Sequence, residues 1–169
     1  MKNVFFPDEE VSENDLYFVC FMIERVARKI HQRNAYVVNT FGVTELRKLL
    51  SVASVLHCEN PDKVAADWIR DYSLQYGNFD ITNVNRSLVV SIPSETQMGK
   101  VYKRLILNTL QKGEDYAQAI VRVYNSSVCE TIDNYNSSAY YEPSYVITRD
   151  RPSRLSLPAS RLILSSRWA

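Results

Sequence analysis

The chain has 169 residues, of which 46% are hydrophobic and 23% charged, and its twenty basic and nineteen acidic residues give a net charge of +1. These values are typical of one globular domain and exclude a polyelectrolyte that binds nucleic acid through bulk charge. Four glycines are few for an all-β fold rich in tight turns, so the composition favours helices.

The cysteines and the apolar runs indicate a soluble protein of a reducing compartment. Cys20, Cys58 and Cys129 are widely separated and show no C-x-x-C spacing, so we interpret them as reduced core thiols and expect no cofactor. The richest apolar run, 16–23, is followed at once by charged residues, and the N-terminus has no signal-peptide pattern. We therefore expect a cytoplasmic protein without a membrane span.

The first predicted helix, 12–33, has a wide apolar stripe. Ser12 is a suitable N-cap, and the first half of the helix is apolar nearly all round. Such a helix belongs at the centre of a bundle, and we expect it to pair with the helix predicted over 114–135. The arm that precedes it, 1–11, has no helical pattern.

The middle of the chain contains three more predicted helices. A connector over 36–42 leads to a helix over 43–57, and Asn60 followed by a proline predicts the N-terminus of a helix over 61–75. Ser94 and Gln97 match a capping box at the start of a helix over 94–111.

These elements predict a mainly α fold, a single-domain bundle of about five helices over 1–148. The segments 79–92 and 144–148 have the alternation of short strands, so we allow a minor two-strand or extended element. From Arg149 the composition changes, because 149–169 holds five arginines and five serines against one acidic residue. This segment is predicted to be a flexible basic tail.

Tyrosines are concentrated where the last predicted helix ends. Tyrosine combines a large apolar ring with a hydroxyl group and is enriched at binding surfaces. The segment after that helix also contains Asn134, Asn136 and two serines that favour turns. We predict a partner-binding surface, for another protein or a second copy of the chain, formed by Tyr135, Tyr140, Tyr141 and Tyr145.

Basic residues suggest a second kind of site. Cations at the start of the 94–111 helix, beside Gly99, could bind phosphate, and the arginines of the tail could neutralise further phosphates. The residues of this predicted anion or nucleic-acid site are Lys100, Lys103, Arg104, Arg149, Arg151 and Arg154. The G-x-x-x-x-G-K-[ST] loop of nucleotide hydrolases is absent, so hydrolysis is not indicated.

Catalytic patterns are sparse. Asp67 and Asp71 lie four residues apart on one helix and could hold a cation or act as an acid–base pair, although a solvated helix face explains them as well. Cys129 could meet His57 in space as a nucleophile pair, although a buried inert thiol explains Cys129 better. A metal-dependent or Cys/His hydrolase is therefore only a second alternative, and we predict no catalytic residue.

The segments MGKVYKRLI and YNSSAYYEPSY resemble those of small bacterial proteins of unknown function, of Firmicutes in particular, over about 13–148. This resemblance implies a bacterial cytoplasmic protein or an accessory protein of a mobile element, and it transfers no functional residue. Together with the tyrosine cluster it favours a non-enzymatic protein-interaction or regulatory module, with a nucleic-acid-associated protein as the alternative.

Overall fold

The computed structural model of the protein describes residues 1–143 and Val146. Within them the fold consists of six α-helices and one 3₁₀ turn, which confirms the mainly α prediction. The helices are α1 (Glu13–Lys29), α2 (Asn34–Leu56), α3 (Pro61–Asp71), α4 (Glu95–Thr109), α5 (Tyr116–Tyr124) and α6 (Ser127–Ile132), and the 3₁₀ turn is Ala139–Tyr141. Among these described residues, no helix combines the length and apolar character needed to cross a bilayer.

The helix starts follow the predicted capping residues. The Ser12 hydroxyl accepts from the Asp15 backbone N–H at 3.2 Å, and the Asp15 carboxylate accepts from the Ser12 N–H at 2.7 Å. Ser94 and Gln97 form the same reciprocal pair, and Asn60 accepts from the N–H of Asp62. These caps satisfy amide groups that have no partner inside the helix, and this fixes where each helix begins.

The core surrounds α1, as predicted, but its main partner differs. The α1 helix packs most extensively against α4 and α2, whereas α5 packs chiefly against α2. The predicted pairing of the 12–33 and 114–135 helices is therefore wrong. The helix α4 takes that place because Gly99 lets the two backbones approach closely.

We expect Gly99→Ala to destabilise the fold, although alanine is the better helix former. A Cβ atom at Gly99 would lie 2.8 Å from the Phe21 Cβ and 2.9 Å from the Phe21 Cα, which belong to a packed helix that cannot move aside cheaply. Overpacking of this kind costs about 1–3 kcal/mol, more than the roughly 1 kcal/mol of helix propensity gained. Urea denaturation monitored by circular dichroism would measure this loss, and an unchanged or higher midpoint would contradict it.

Two predicted boundaries differ from the structure. The predicted connector 36–42 is wrong because this segment is helical, although the predicted helix start at 43 coincides with a kink at Gly42, whose φ of +65° is non-helical. The predicted helix 114–135 is broken after Tyr124. There Asn125 Nδ2 donates to the Val121 carbonyl at 2.8 Å and the Ser126 hydroxyl donates to the Val123 carbonyl at 2.6 Å. These side chains satisfy the end of α5, so that α6 starts as a separate helix.

The segment 78–92 contains turns and no strand, so the predicted two-strand element is absent from the described residues. Asp80 accepts from the Thr82 N–H at 2.9 Å and Asn85 from the Ser87 N–H at 3.0 Å. These local bonds occupy backbone groups that a strand would need for its neighbour. The second proposed strand, 144–148, lies outside the described residues apart from Val146.

Candidate functional site

The three cations predicted on the fourth helix lie on one face of α4. Lys100 and Arg104 are exposed and Lys103 is half-buried. Together with residues of α1 they border a groove of about 590 Å³. The residues that line this groove are Asn14, Tyr17, Lys100, Lys103, Arg104, Leu107 and Asn108.

These cations are weakly neutralised. The Lys103 Nζ lies 3.8 Å from the Glu13 carboxylate, a long contact for an ion pair. Within 1–143, Arg104 donates to the backbone carbonyl of Glu142, at 3.3 Å. Neither Lys100 nor Arg104 forms an ion pair with any residue of 1–143. Positive charge is therefore available to a ligand along this face of α4.

The tyrosine cluster separates into buried and exposed rings. Tyr135 and Tyr140 are 2% and 5% exposed and pack against each other edge to face, whereas Tyr141 is 62% exposed. Of the predicted partner-binding set, Tyr135 and Tyr140 thus belong to the core, because the 3₁₀ turn folds back onto the bundle. Tyr141 is left as an accessible ring, and Tyr145 lies outside the described residues.

Tyr141 lies beside the basic residues of α4. It borders a smaller cleft of about 170 Å³ whose lining also includes Lys100 and Arg104, so this cleft and the groove share both cations. We call Tyr17, Lys100, Lys103, Arg104 and Tyr141 the basic face. In the sequence the tyrosine segment has no basic neighbour before Arg149, and tertiary packing supplies two.

Alanine substitutions should distinguish the buried Tyr140 from the exposed Tyr141. We expect Tyr140→Ala to lower the free energy of unfolding by about 2–3 kcal/mol, because a large buried aromatic surface is lost. Tyr141→Ala should change it by less than about 0.5 kcal/mol, as is usual for an exposed side chain. Chemical denaturation of both variants checks this, and equal losses would mean that Tyr141 also belongs to the core.

The paired carboxylates of α3 are engaged in local ion pairs. Asp67 contacts Lys63 at 3.3 Å and Arg70 at 2.9 Å, and Asp71 contacts Arg70 at 2.8 Å. The hydrogen bond from Lys63 lowers the pKa of Asp67. In the part of the chain that is described, no group of three or more His, Cys, Asp or Glu residues is placed to hold a metal ion.

The structure does not bring Cys129 to His57. The His57 ring packs on Phe18, with 4.3 Å between centroids, whereas the Cys129 thiol lies 3.1 Å from the Tyr102 hydroxyl in the core. Cys20 and Cys129 are buried free thiols, as predicted, whereas Cys58 is exposed, so its predicted place in the core is wrong. Burial raises the pKa of Cys129 well above its usual value, which opposes nucleophilic reactivity. The tail arginines Arg149, Arg151 and Arg154 lie outside the described residues.

A buried polar cluster, which the sequence analysis missed, connects four helices and the segment that follows α6. The fully buried Glu24 carboxylate accepts from Arg28 Nε at 2.7 Å and from the Tyr135 hydroxyl at 2.5 Å. The Asn34 amide nitrogen bridges two acids, donating to Glu24 at 2.6 Å and to Asp133 at 3.1 Å. Buried carboxylates need such partners, since an unpaired buried charge is costly.

The Asp133 end of this cluster holds an unusually basic carboxylate. Tyr102 donates to Asp133 Oδ1 at 2.5 Å, and the Cys129 sulfur lies 3.4 Å from Oδ2. Burial and the nearby Glu24 charge raise the pKa of Asp133 to about 7, in spite of these hydrogen bonds. Perturbed carboxylates beside a cleft are typical of functional sites.

One signal in the sequence could have revealed the cluster. Glu24 follows Cys20 by four residues and therefore lies on the apolar stripe of α1, with Arg28 four residues further on. An acid on a buried stripe needs a partner. Asp133 follows the buried Cys129 in the same way, although the end of α6 hides that periodicity.

Comparison with known proteins adds no evidence to the geometry of these sites. No family model, no curated protein and no solved structure matches this chain. The resemblance to small bacterial proteins of unknown function therefore stays a prediction.

Proposed function

We propose that the protein is a non-enzymatic interaction module that binds an acidic segment of a partner protein through the basic face. The observation that carries this proposal is that Lys100 and Arg104, which form no ion pair within 1–143, border both the α1–α4 groove and the cleft at Tyr141. Exposed cations flanked by aromatic rings suit carboxylate-rich segments, because the rings provide apolar contact while the cations bind the charge.

The charge distribution favours a short acidic protein segment over a nucleic acid. Residues 1–148 carry a net charge of −3, since 149–169 accounts for +4 of the total of +1. A surface that binds nucleic acid usually neutralises many phosphates and attracts the strand over a long range. Three cations provide a local site that matches a few carboxylates and is too small to neutralise the many phosphates of a nucleic acid.

A direct test uses the full chain and two anionic probes. Fluorescence anisotropy would compare a labelled oligoglutamate peptide with an oligothymidylate of the same length, at equal ionic strength. We expect the peptide to bind more tightly, and we expect the double variant Lys100→Ala/Arg104→Ala to weaken peptide binding roughly tenfold, since exposed cations contribute up to about 1 kcal/mol each.

A charge-matched control separates the basic face from overall charge. Arg86 and Lys112 are exposed cations that line neither the groove nor the Tyr141 cleft, so Arg86→Ala/Lys112→Ala removes the same charge elsewhere. Equal losses in both double variants would overturn the proposal. Tighter binding of oligothymidylate, lost in the Lys100/Arg104 variant, would assign the face to nucleic acid instead.

A further inference from the structure

A cleft of about 580 Å³ lies where the start of α2 meets α5 and α6, and it shares no residue with the basic face. Its volume is within the range of small-molecule sites. The lining consists of Arg33, Ala35, Tyr124, Asn125, Ser126, Cys129, Glu130 and Asp133. The buried polar cluster therefore opens to the surface here, through Asp133 and Cys129.

The charges around this cleft favour a cationic ligand. Asp133 and Glu130 both line it, and the exposed Glu130 carboxylate has no ion pair among the described residues. Behind Asp133, Glu24 is already neutralised by Arg28 at 2.7 Å. Arg33 is the cation of the lining, and its guanidinium lies over the Phe79 ring, 4.2 Å from the centroid. The lining thus has an excess of negative charge whenever Asp133 is ionised.

Two polar atoms near Asp133 are poorly satisfied. The Asn34 Oδ1 has no hydrogen-bond partner among the described residues. The Tyr124 hydroxyl, on a side chain that lines the cleft and is 1% exposed, interacts with the buried Cys20 thiol, which is a weak partner. The Asn34 Oδ1 is equally buried, and the nitrogen of the same amide donates to Asp133 at 3.1 Å. Unpartnered buried polar atoms are rare in folded proteins, and both of these oxygens can accept a hydrogen bond.

We propose that this cleft binds a small ligand carrying a protonated primary amine, with the half-buried Asp133 as its counter-ion and Glu130 at the rim. An ammonium group has three donors and no acceptor, which matches a wall of carboxylate and hydroxyl oxygens. Binding would place its charge against Asp133 and beside Tyr124, which both line the cleft. This inference is independent of the proposed function of the basic face.

Binding should strengthen with pH, because the ammonium pairs with the ionised form of Asp133, whose pKa is raised to about 7. The affinity is expected to rise about tenfold between pH 6 and pH 8 as that fraction grows. The other charged or titratable groups that face this carboxylate from neighbouring elements are Glu24, Arg28, Tyr102, Tyr124, Cys129, Arg33 and Glu130. The pKa values of Tyr102, Tyr124 and Cys129 are raised, so these groups stay neutral over this pH range.

The experiment uses three probes of similar size and the full chain. Isothermal titration calorimetry would compare phenethylamine, the neutral 2-phenylethanol and the zwitterion L-phenylalanine at pH 6 and pH 8. We expect phenethylamine to bind and the alcohol to bind at least tenfold more weakly. Binding of L-phenylalanine as tight as that of the amine would also support the amine site and would add Arg33 as the partner of its carboxylate.

Two variants keep the proposal falsifiable. Asp133→Asn should weaken phenethylamine binding at least tenfold at pH 8 and abolish its pH dependence. Glu130→Lys changes an exposed residue, so it should fold normally and should weaken binding by a similar factor. Asp67→Asn on α3 removes a partly exposed acid that does not line the cleft, and it should have no effect. Equal binding of amine and alcohol, no binding of the amine, or unchanged binding in Glu130→Lys would overturn the proposal.

Discussion

Glu24→Ala is expected to lower the free energy of unfolding by about 3–5 kcal/mol. The substitution leaves Arg28, Asn34 and Tyr135 without the carboxylate that accepts from all three. Removing one partner of a buried ion pair costs this much, because the remaining charge stays desolvated. For a domain whose total stability is of the order of 5–15 kcal/mol, such a loss approaches unfolding at 37 °C. Equilibrium urea denaturation gives the value.

The matched control is Glu130→Ala, which removes an exposed glutamate from α6. It should change the free energy of unfolding by less than about 0.5 kcal/mol. Glu24→Gln, which keeps the shape and one acceptor oxygen, should fall between the two. A loss below about 1 kcal/mol in Glu24→Ala would mean that water enters the cluster and replaces the carboxylate.

Asp133→Asn is expected to flatten the dependence of stability on pH between about 5 and 7. The pKa of Asp133 is about 7 in the folded protein, above the value of about 3.9 for an unfolded chain. In this interval the folded state keeps a proton that the unfolded state has released. The free energy of unfolding therefore falls as pH rises, by up to about 1.4 kcal/mol per pH unit. Above pH 7 Asp133 is ionised in both states and causes no further fall.

Denaturation curves at pH 5, 6, 7 and 8 would measure this effect. From pH 5 to pH 8, the free energy of unfolding of Asp133→Asn should rise by roughly 2–4 kcal/mol relative to that of the unmodified protein. Asp67→Asn is the control, since the pKa of Asp67 is lowered and its contribution changes only at more acidic pH. Parallel curves for Asp133→Asn and the unmodified protein would show that Asp133 is ionised throughout.

Local patterns were enough to predict most of the helices and their starts. The apolar stripe of α1 and the caps at Ser12, Asn60 and Ser94 depend on residues within four positions of one another, so they are readable in the sequence. The error at Ser126 came from a backbone turn inside a continuous apolar pattern, whereas 36–42 was predicted as a connector although it is helical. Periodicity does not respond to such turns, since the apolar residues on either side of them still face the core.

The sequence predicted the basic face and the tyrosine surface only in part. Lys100, Lys103 and Arg104 were predicted as an anion site because they lie near the start of one helix, beside Gly99. Tyr141 lies beside these cations because the 3₁₀ turn folds back onto α4. This contact joins residues about forty positions apart in the sequence. The burial of Tyr135 and Tyr140 depends on the same turn, which is why the predicted tyrosine surface was too large.

By itself the sequence determined the helical class, the position of α1 at the centre and the basic character of α4, because each follows from side-chain spacing within one element. Only the tertiary structure decided which helix packs against α1, through the close approach at Gly99. It also decided that Glu24 and Asp133, over a hundred residues apart, share one amide. Burial and mutual repulsion in that arrangement raise the pKa of Asp133, and both act through space and not along the chain.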